Sequence, residues 1–159
     1  MPETVKFLVK IQEQEAFLTI VGKAGYLNCR SVADFFATVA EKKCSHLFID
    51  TSQCSGMDST FLGMIAGVAL RLRKYNAEVI LLNLSERNRQ VVDNLGLYKL
   101  VKISKSEEVS SEKTDELSTE NASNSLILDA HENLVKADKT NLEKFEDVLS
   151  FLRKENGQK

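Results

Sequence analysis

Cysteine is scarce in this chain and badly spaced for chemistry. Cys29, Cys44 and Cys54 form no C-x-x-C pair, and any disulfide scheme leaves one thiol over. They read as reduced thiols of a cytoplasmic protein. Histidine is scarcer where it would matter, since His46 stands alone in the first hundred residues. A zinc site would have to gather its cysteines from three scattered places, so no metal is expected. An excess of basic charge is missing too. Lys and Arg number 21 against 23 Asp and Glu, a formal net charge of −2, which argues against a general nucleic-acid binder. The longest apolar run, Phe61 to Leu70, is ten residues with two glycines, too short to span a bilayer. The opening MPETVKFLVK lacks the basic start, apolar stretch and small-residue cleavage site of a secretory signal. No positioned acid–base or nucleophile pair stands out, and a lone Gly22-x-x-Gly25 is neither a phosphate loop nor a dinucleotide fingerprint. The expectation is a non-catalytic protein with no cofactor.

What is present is a soluble domain with an appendage. The chain is 43% hydrophobic and 28% charged, over 159 residues. Residues 4–11 (TVKFLVKI) and 16–21 (AFLTIV) are β-branched and aromatic, and a polar connector between them predicts a hairpin. Asn28 stands where it would N-cap a helix over 29–43, with Val32, Phe35, Phe36 and Val39 at helical spacing. A short strand, 46–50 (HLFID), leads through a turn over 51–58 into a helix over 59–75. There Phe61, Ile65, Val68 and Leu72 share a face. Residues 78–84 (EVILLNL) read as a strand covered on both sides. Ser85 caps a helix over 86–95, Gly96 terminates it, and a last strand spans 98–103. The order is β-β-α-β-α-β-α-β, an α/β fold with parallel crossovers and an antiparallel edge hairpin.

This domain is expected to occupy residues 1–104. Residues 105–125 are mostly Ser, Thr, Asn and acidic, and predict a flexible acidic linker. Residues 126–156 regain a stripe of Ile127, Ala130, Leu134, Leu142, Phe145, Leu149 and Leu152. Thr140 with Glu143 resembles a capping box, so two helices with a break near Asp138-Lys139 are expected. The stripe docks back on the domain or on its own partner helix; the alternative is a homodimer or another partner bound through it.

The chemistry concentrates at FIDTSQCSGMDSTFLG, residues 48–63. In an open α/β sheet, ligands and partners meet beyond the carboxyl ends of the strands, where this turn lies. Asp58 is placed to N-cap the following helix, Gly56 to give the turn conformational freedom, and Ser59 to point its hydroxyl outward. Phosphate on Ser59 would add about −1.5 to −2 charges. The helix dipole offsets about 0.3–1 kcal/mol of that. A partner pressed there would face a phosphate beside a carboxylate, a like-charge contact that costs about several kcal/mol. The turn is suited to be a binding switch.

The element order, MDSTFLG at the start of the second helix and NLGLYKLVKI after the third, together resemble the STAS domain, named for sulfate transporters and anti-sigma factor antagonists. The resemblance covers residues 4–103 and rests on Asp58, Ser59, Thr60, Leu62 and Gly63, with the Leu-Gly-Leu turn at 95–97. It implies an anti-sigma factor antagonist-like protein that works by partner switching. Ser59 would be the phosphoacceptor and Thr60 a secondary one. The partners would be a serine kinase that doubles as an anti-sigma factor and a PP2C-type phosphatase. Met57, Asp58, Phe61 and Leu62, with Lys23 and Asn28 from the neighbouring loop, would form the docking surface. Phe61 replaces the glycine usual in that motif, and its spacing with Ile65 places it on the core face. The resemblance leaves two other readings open: an accessory subunit of a membrane transport ATPase, or a nucleotide- or small-molecule-binding module. Asp50 could suggest a receiver-type phosphoaspartate, but it lacks the acidic pair and Lys-Pro of such a site and reads as a turn or cap residue. His46 reads as structural.

Overall fold

The computed structural model describes residues 4–106 and 114–157. Strands β1 (Lys6–Gln12) and β2 (Glu15–Ala24) pair antiparallel across a tight turn in which Glu13 takes φ 57°. Helix α1 (Arg30–Glu41) buries Val32, Phe35, Phe36 and Val39, as its spacing predicts. Then come β3 (His46–Met57), α2 (Ser59–Arg73), β4 (Glu78–Leu82), α3 (Glu86–Asn94), a 3-10 turn (Leu97–Lys99) and β5 (Lys102–Ser104). Strands β2, β3, β4 and β5 pair in parallel, so the fold is the expected mixed sheet flanked by helices. Strand β4 is covered on both faces, its last four residues all buried. By contrast β2 alternates buried and half-buried positions, and Phe17 stacks on Phe48 with ring centroids 5.2 Å apart.

Three local expectations are corrected. The strand expected to stop at Asp50 continues to Met57, so residues 51–57 are not a turn. The reason is tertiary: β2 is long enough to pair with them, Val21 opposite Gln53 and Ala24 opposite Met57, through two register shifts. The last strand shrinks to three residues, because Leu97, fully buried, is drawn into a 3-10 turn behind Gly96 at φ 71°. Asn28 is not the N-cap of α1; Cys29 holds that place, with no side-chain hydrogen bond.

The acidic segment is also not all free. Residues 107–113 lie outside the described residues, but β6 (Asp115–Glu116) pairs antiparallel with β1, giving the sheet order β5-β4-β3-β2-β1-β6. Leu117 N–H then donates to the Phe7 carbonyl, Ser31 and Ser118 share a hydroxyl hydrogen bond, and Ala122 N–H donates to the Tyr26 carbonyl. A segment too polar to fold alone is held here because the edge of β1 offers it unpaired backbone groups.

Two helices complete the chain, α4 (Asn124–Ala137) and α5 (Asn141–Glu155), with the break at Asp138 where it was expected. The capping box does not form. Thr140 makes no side-chain cap, and its hydroxyl donates instead to Asp138 Oδ1 at 2.8 Å. Helix α4 docks on α2 of the same chain and contributes Ala130 and Leu134 to the main core. Helix α5 packs on α4 around a separate small core of Leu128, Leu149 and Leu152.

Candidate functional site

The site is built where β3 ends and α2 begins, with Asp58 as the only residue between them. Asp58 Oδ1 accepts the Phe61 N–H at 2.9 Å and so caps α2. Its Oδ2 accepts the Tyr26 N–H at 2.9 Å and ties the β2–α1 loop to the same spot. Gly25 makes this possible, since a Cβ there would meet the Asp58 carboxylate. Gly56 has no such role: its φ is not positive, and an added Cβ would find only the Lys23 side chain at 3.7 Å. Asn28 shapes the loop, accepting the Gly25 N–H and donating to the Lys23 carbonyl, both at 3.0 Å.

Ser59 is the first residue of α2 and half-buried. Its hydroxyl does not point freely outward. It lies 2.9 Å from Nε2 of His131, a residue of α4 that is 3% exposed. The other ring nitrogen, Nδ1, lies 2.7 Å from the Ile127 carbonyl, which can only accept. Nδ1 therefore carries a proton, and in the neutral ring Nε2 accepts the proton of the Ser59 hydroxyl. The ring is held further by Phe145 of α5, edge-on at 4.9 Å. Sequence reasoning missed His131. Its signal was a titratable residue inside the apolar stripe Ile127, Ala130, Leu134.

The remaining expected site residues separate into two groups. Asp58 and Ser59 adjoin the β2–α1 loop through the Tyr26 N–H, and that loop carries Asn28, bonded to the carbonyl of the exposed Lys23. Met57, Thr60, Phe61 and Leu62 do not face outward; they are 8%, 4%, 0% and 0% exposed. Phe61 stacks in parallel on Phe7 in the core, at 6.0 Å. The docking surface expected of these side chains is corrected accordingly: the apolar groups exposed beside Asp58 are Tyr26 and Leu27, at 49% and 58%. They were missed because a loop has no periodicity to mark them. Cys29 adjoins the loop as a buried thiol, pushed up to about 11 by burial and by the nearby Asp58 carboxylate. Burial and the raised value both disfavour its reactive thiolate form. His46 is half-exposed, stacked on Phe48 and 3.6 Å from Glu15, away from this site. Among the described residues no group of three or more His, Cys, Asp or Glu is placed to hold a metal, and no helix is long and apolar enough to cross a membrane.

The arrangement is a six-stranded mixed sheet, with a serine opening an aspartate-capped helix after a central strand. The chain belongs to the STAS domain family, whose model matches residues 6–110. Its fold is similar to that of a Thermotoga maritima protein provisionally described as an anti-sigma factor antagonist, at 20% identity and a TM-score of 0.58, covering 64% of this chain and 87% of that one. It is similar to the Bacillus cell fate determinant SpoIIAA in its phosphorylated form, at 19% identity and a TM-score of 0.55, covering 64% and 92%. An anti-sigma factor antagonist of Mycobacterium paratuberculosis matches at 17% and 0.57, covering 65% and 88%. At these identities the likeness is one of fold.

Proposed function

We propose that this protein is a non-catalytic regulator, anti-sigma factor antagonist-like, that binds a protein partner at the surface around Asp58, Ser59 and the Gly25–Asn28 loop. Reversible phosphorylation of Ser59 switches that binding. The partner is an anti-sigma factor of the serine-kinase type, and a PP2C-type phosphatase resets the switch. The observation that carries this reading is the position of Ser59: first residue of a helix, directly behind its N-cap, next to a loop that exposes Tyr26 and Leu27. A phosphate there would add about −1.5 to −2 charges beside the Asp58 carboxylate. The helix dipole offsets part of this within the protein, by about 0.3–1 kcal/mol. At a partner interface the same charge pair costs about several kcal/mol, or about a thousandfold or more in affinity.

The test is peptide mass spectrometry of protein purified from its own cells with phosphatase inhibitors, followed by capture of partners with Ser59→Ala and Ser59→Asp. Phosphate on Ser59 is expected, with Ser59→Ala retaining a kinase-type partner and Ser59→Asp losing it. Unmodified Ser59 under all growth conditions, with both variants in the same stable complex, would instead assign the protein as a permanent subunit, such as that of a membrane transport ATPase.

A further inference from the structure

The face of α2 that carries Ser59 is shaped to receive a helix. Ser59, Gly63 and Gly67 lie four residues apart, one above the other. A Cβ on Gly63 would overlap the Ala130 carbonyl and lie 2.8 Å from the Ala130 Cα, and one on Gly67 would overlap the Asn133 side-chain amide. The backbones of α2 and α4 thus approach as closely as small residues permit, and this stripe delivers His131 to the Ser59 hydroxyl.

A second set of contacts holds the helical pair in place from its other end. Asn141 is fully buried and donates to the Leu95 and Leu134 carbonyls at 2.9 and 2.7 Å, joining the α4–α5 junction to the end of α3. Lys99 pairs with Asp138 at 2.9 Å beside it. The pair also has internal cohesion, through its own small core and through Phe145 against the His131 ring.

We infer that α4 and α5 act as one latch over Ser59, and that docked latch and phosphorylated serine exclude each other. With the Ser59 hydroxyl in the position it holds here, there is no room for both. From that position a phosphorus and three oxygens attached to Oγ would run into the volume of a buried imidazole now 2.9 Å away. The added negative charge would also sit beside Asp58 in a partly dehydrated contact. A kinase therefore reaches Ser59 only when α4 has moved off, and phosphate on Ser59 keeps it off. The statement about phosphate rests on the function proposed above; the latch itself does not.

The test makes Ser59 report its own cover. In Ser59→Cys the three native thiols are buried, so a maleimide or aromatic disulfide labels position 59 first. Labelling is expected to be slower than in the unfolded chain. Adding Gly63→Ala, which leaves α2 a better helix former but closes the groove, should speed it by about tenfold or more. Adding Asn141→Ala should speed it in the same direction without touching α2. Hydrogen exchange should show β2 and β3 still protected in both double variants, with residues 124–155 exchanging faster. Labelling of Ser59→Cys at the rate of the unfolded chain, or a rate that neither second substitution changes, overturns the latch. Hydrogen exchange of Ser59→Glu tests exclusion: α4 exchanging as in the wild type overturns it. None of these measurements needs a kinase, so an absence of cellular phosphate on Ser59 would remove the proposed switch and leave the latch standing.

Discussion

Two carboxylates in and just after β3, each followed closely by a serine, are used in opposite ways. Asp50 is 4% exposed, and its partners come from β3 itself and from just past the end of β4. Its Oδ1 accepts Ser52 N–H at 3.0 Å and Asn83 Nδ2–H at 3.2 Å, and its Oδ2 accepts the Ser52 hydroxyl. Asn83 in turn exchanges hydrogen bonds with the backbone of Ser106. Asp58 is half-buried and holds a loop and a helix start, while its neighbour Ser59 is completed by a residue 72 positions away on a docked helix. A polar group satisfied by the sheet is freed only when the sheet unfolds, whereas one satisfied by a docked segment is freed when that segment leaves.

The largest effect is expected next to Ser59 itself. Phe61→Ala removes a fully buried ring two residues from the candidate phosphoacceptor. Because that ring is core, the loss should be about 3–5 kcal/mol of global stability by denaturant unfolding. A loss within about 0.5 kcal/mol, the size of an ordinary surface substitution, would return Phe61 to the docking surface. Asp50→Ala should come next, costing about 1–3 kcal/mol through donors left unpaired. It should do so without altering the labelling of a cysteine at position 59, which would show the two sites to be independent.

The smallest effect is the one set by pH. The Lys99 side chain, then the Thr140 hydroxyl and N–H, hydrogen-bond Asp138 and hold its carboxyl well below the usual carboxylate range. A carboxyl lowered in the folded state contributes stability that is complete above its unfolded value and fades as pH falls through the folded one. Protection of α4 and α5 should therefore be flat at neutral pH and begin to fall below about pH 4. Asp138→Asn should remove that dependence. An unchanged acid profile in the variant would show that the junction draws nothing from this pair.

Most of the order of elements was legible from periodicity and caps. The buried spacing of α1, the Asp58 and Ser85 caps and the glycine after α3 all stand as their residue types predict. The ends of the strands were not legible, because pairing is non-local. Ser52, Gln53 and Ser55 look like a loop by composition and become strand only because β2 lies alongside. At the candidate site, Asp58 and Ser59 could be picked out from seven consecutive residues and the rule of helix capping. Gly63 and Gly67 were visible too, but their meaning was not, since a small residue on a helix shows that something comes close without showing what.

The amino-acid order alone settled which serine opens a helix behind an aspartate, since capping is decided within four residues. What reaches that serine was decided by the tertiary structure. Its hydroxyl faces His131 because Gly63 lets Ala130 approach, Asn141 anchors the junction and Phe145 backs the ring. Each of these contacts joins residues far apart in the chain, which no local pattern encodes.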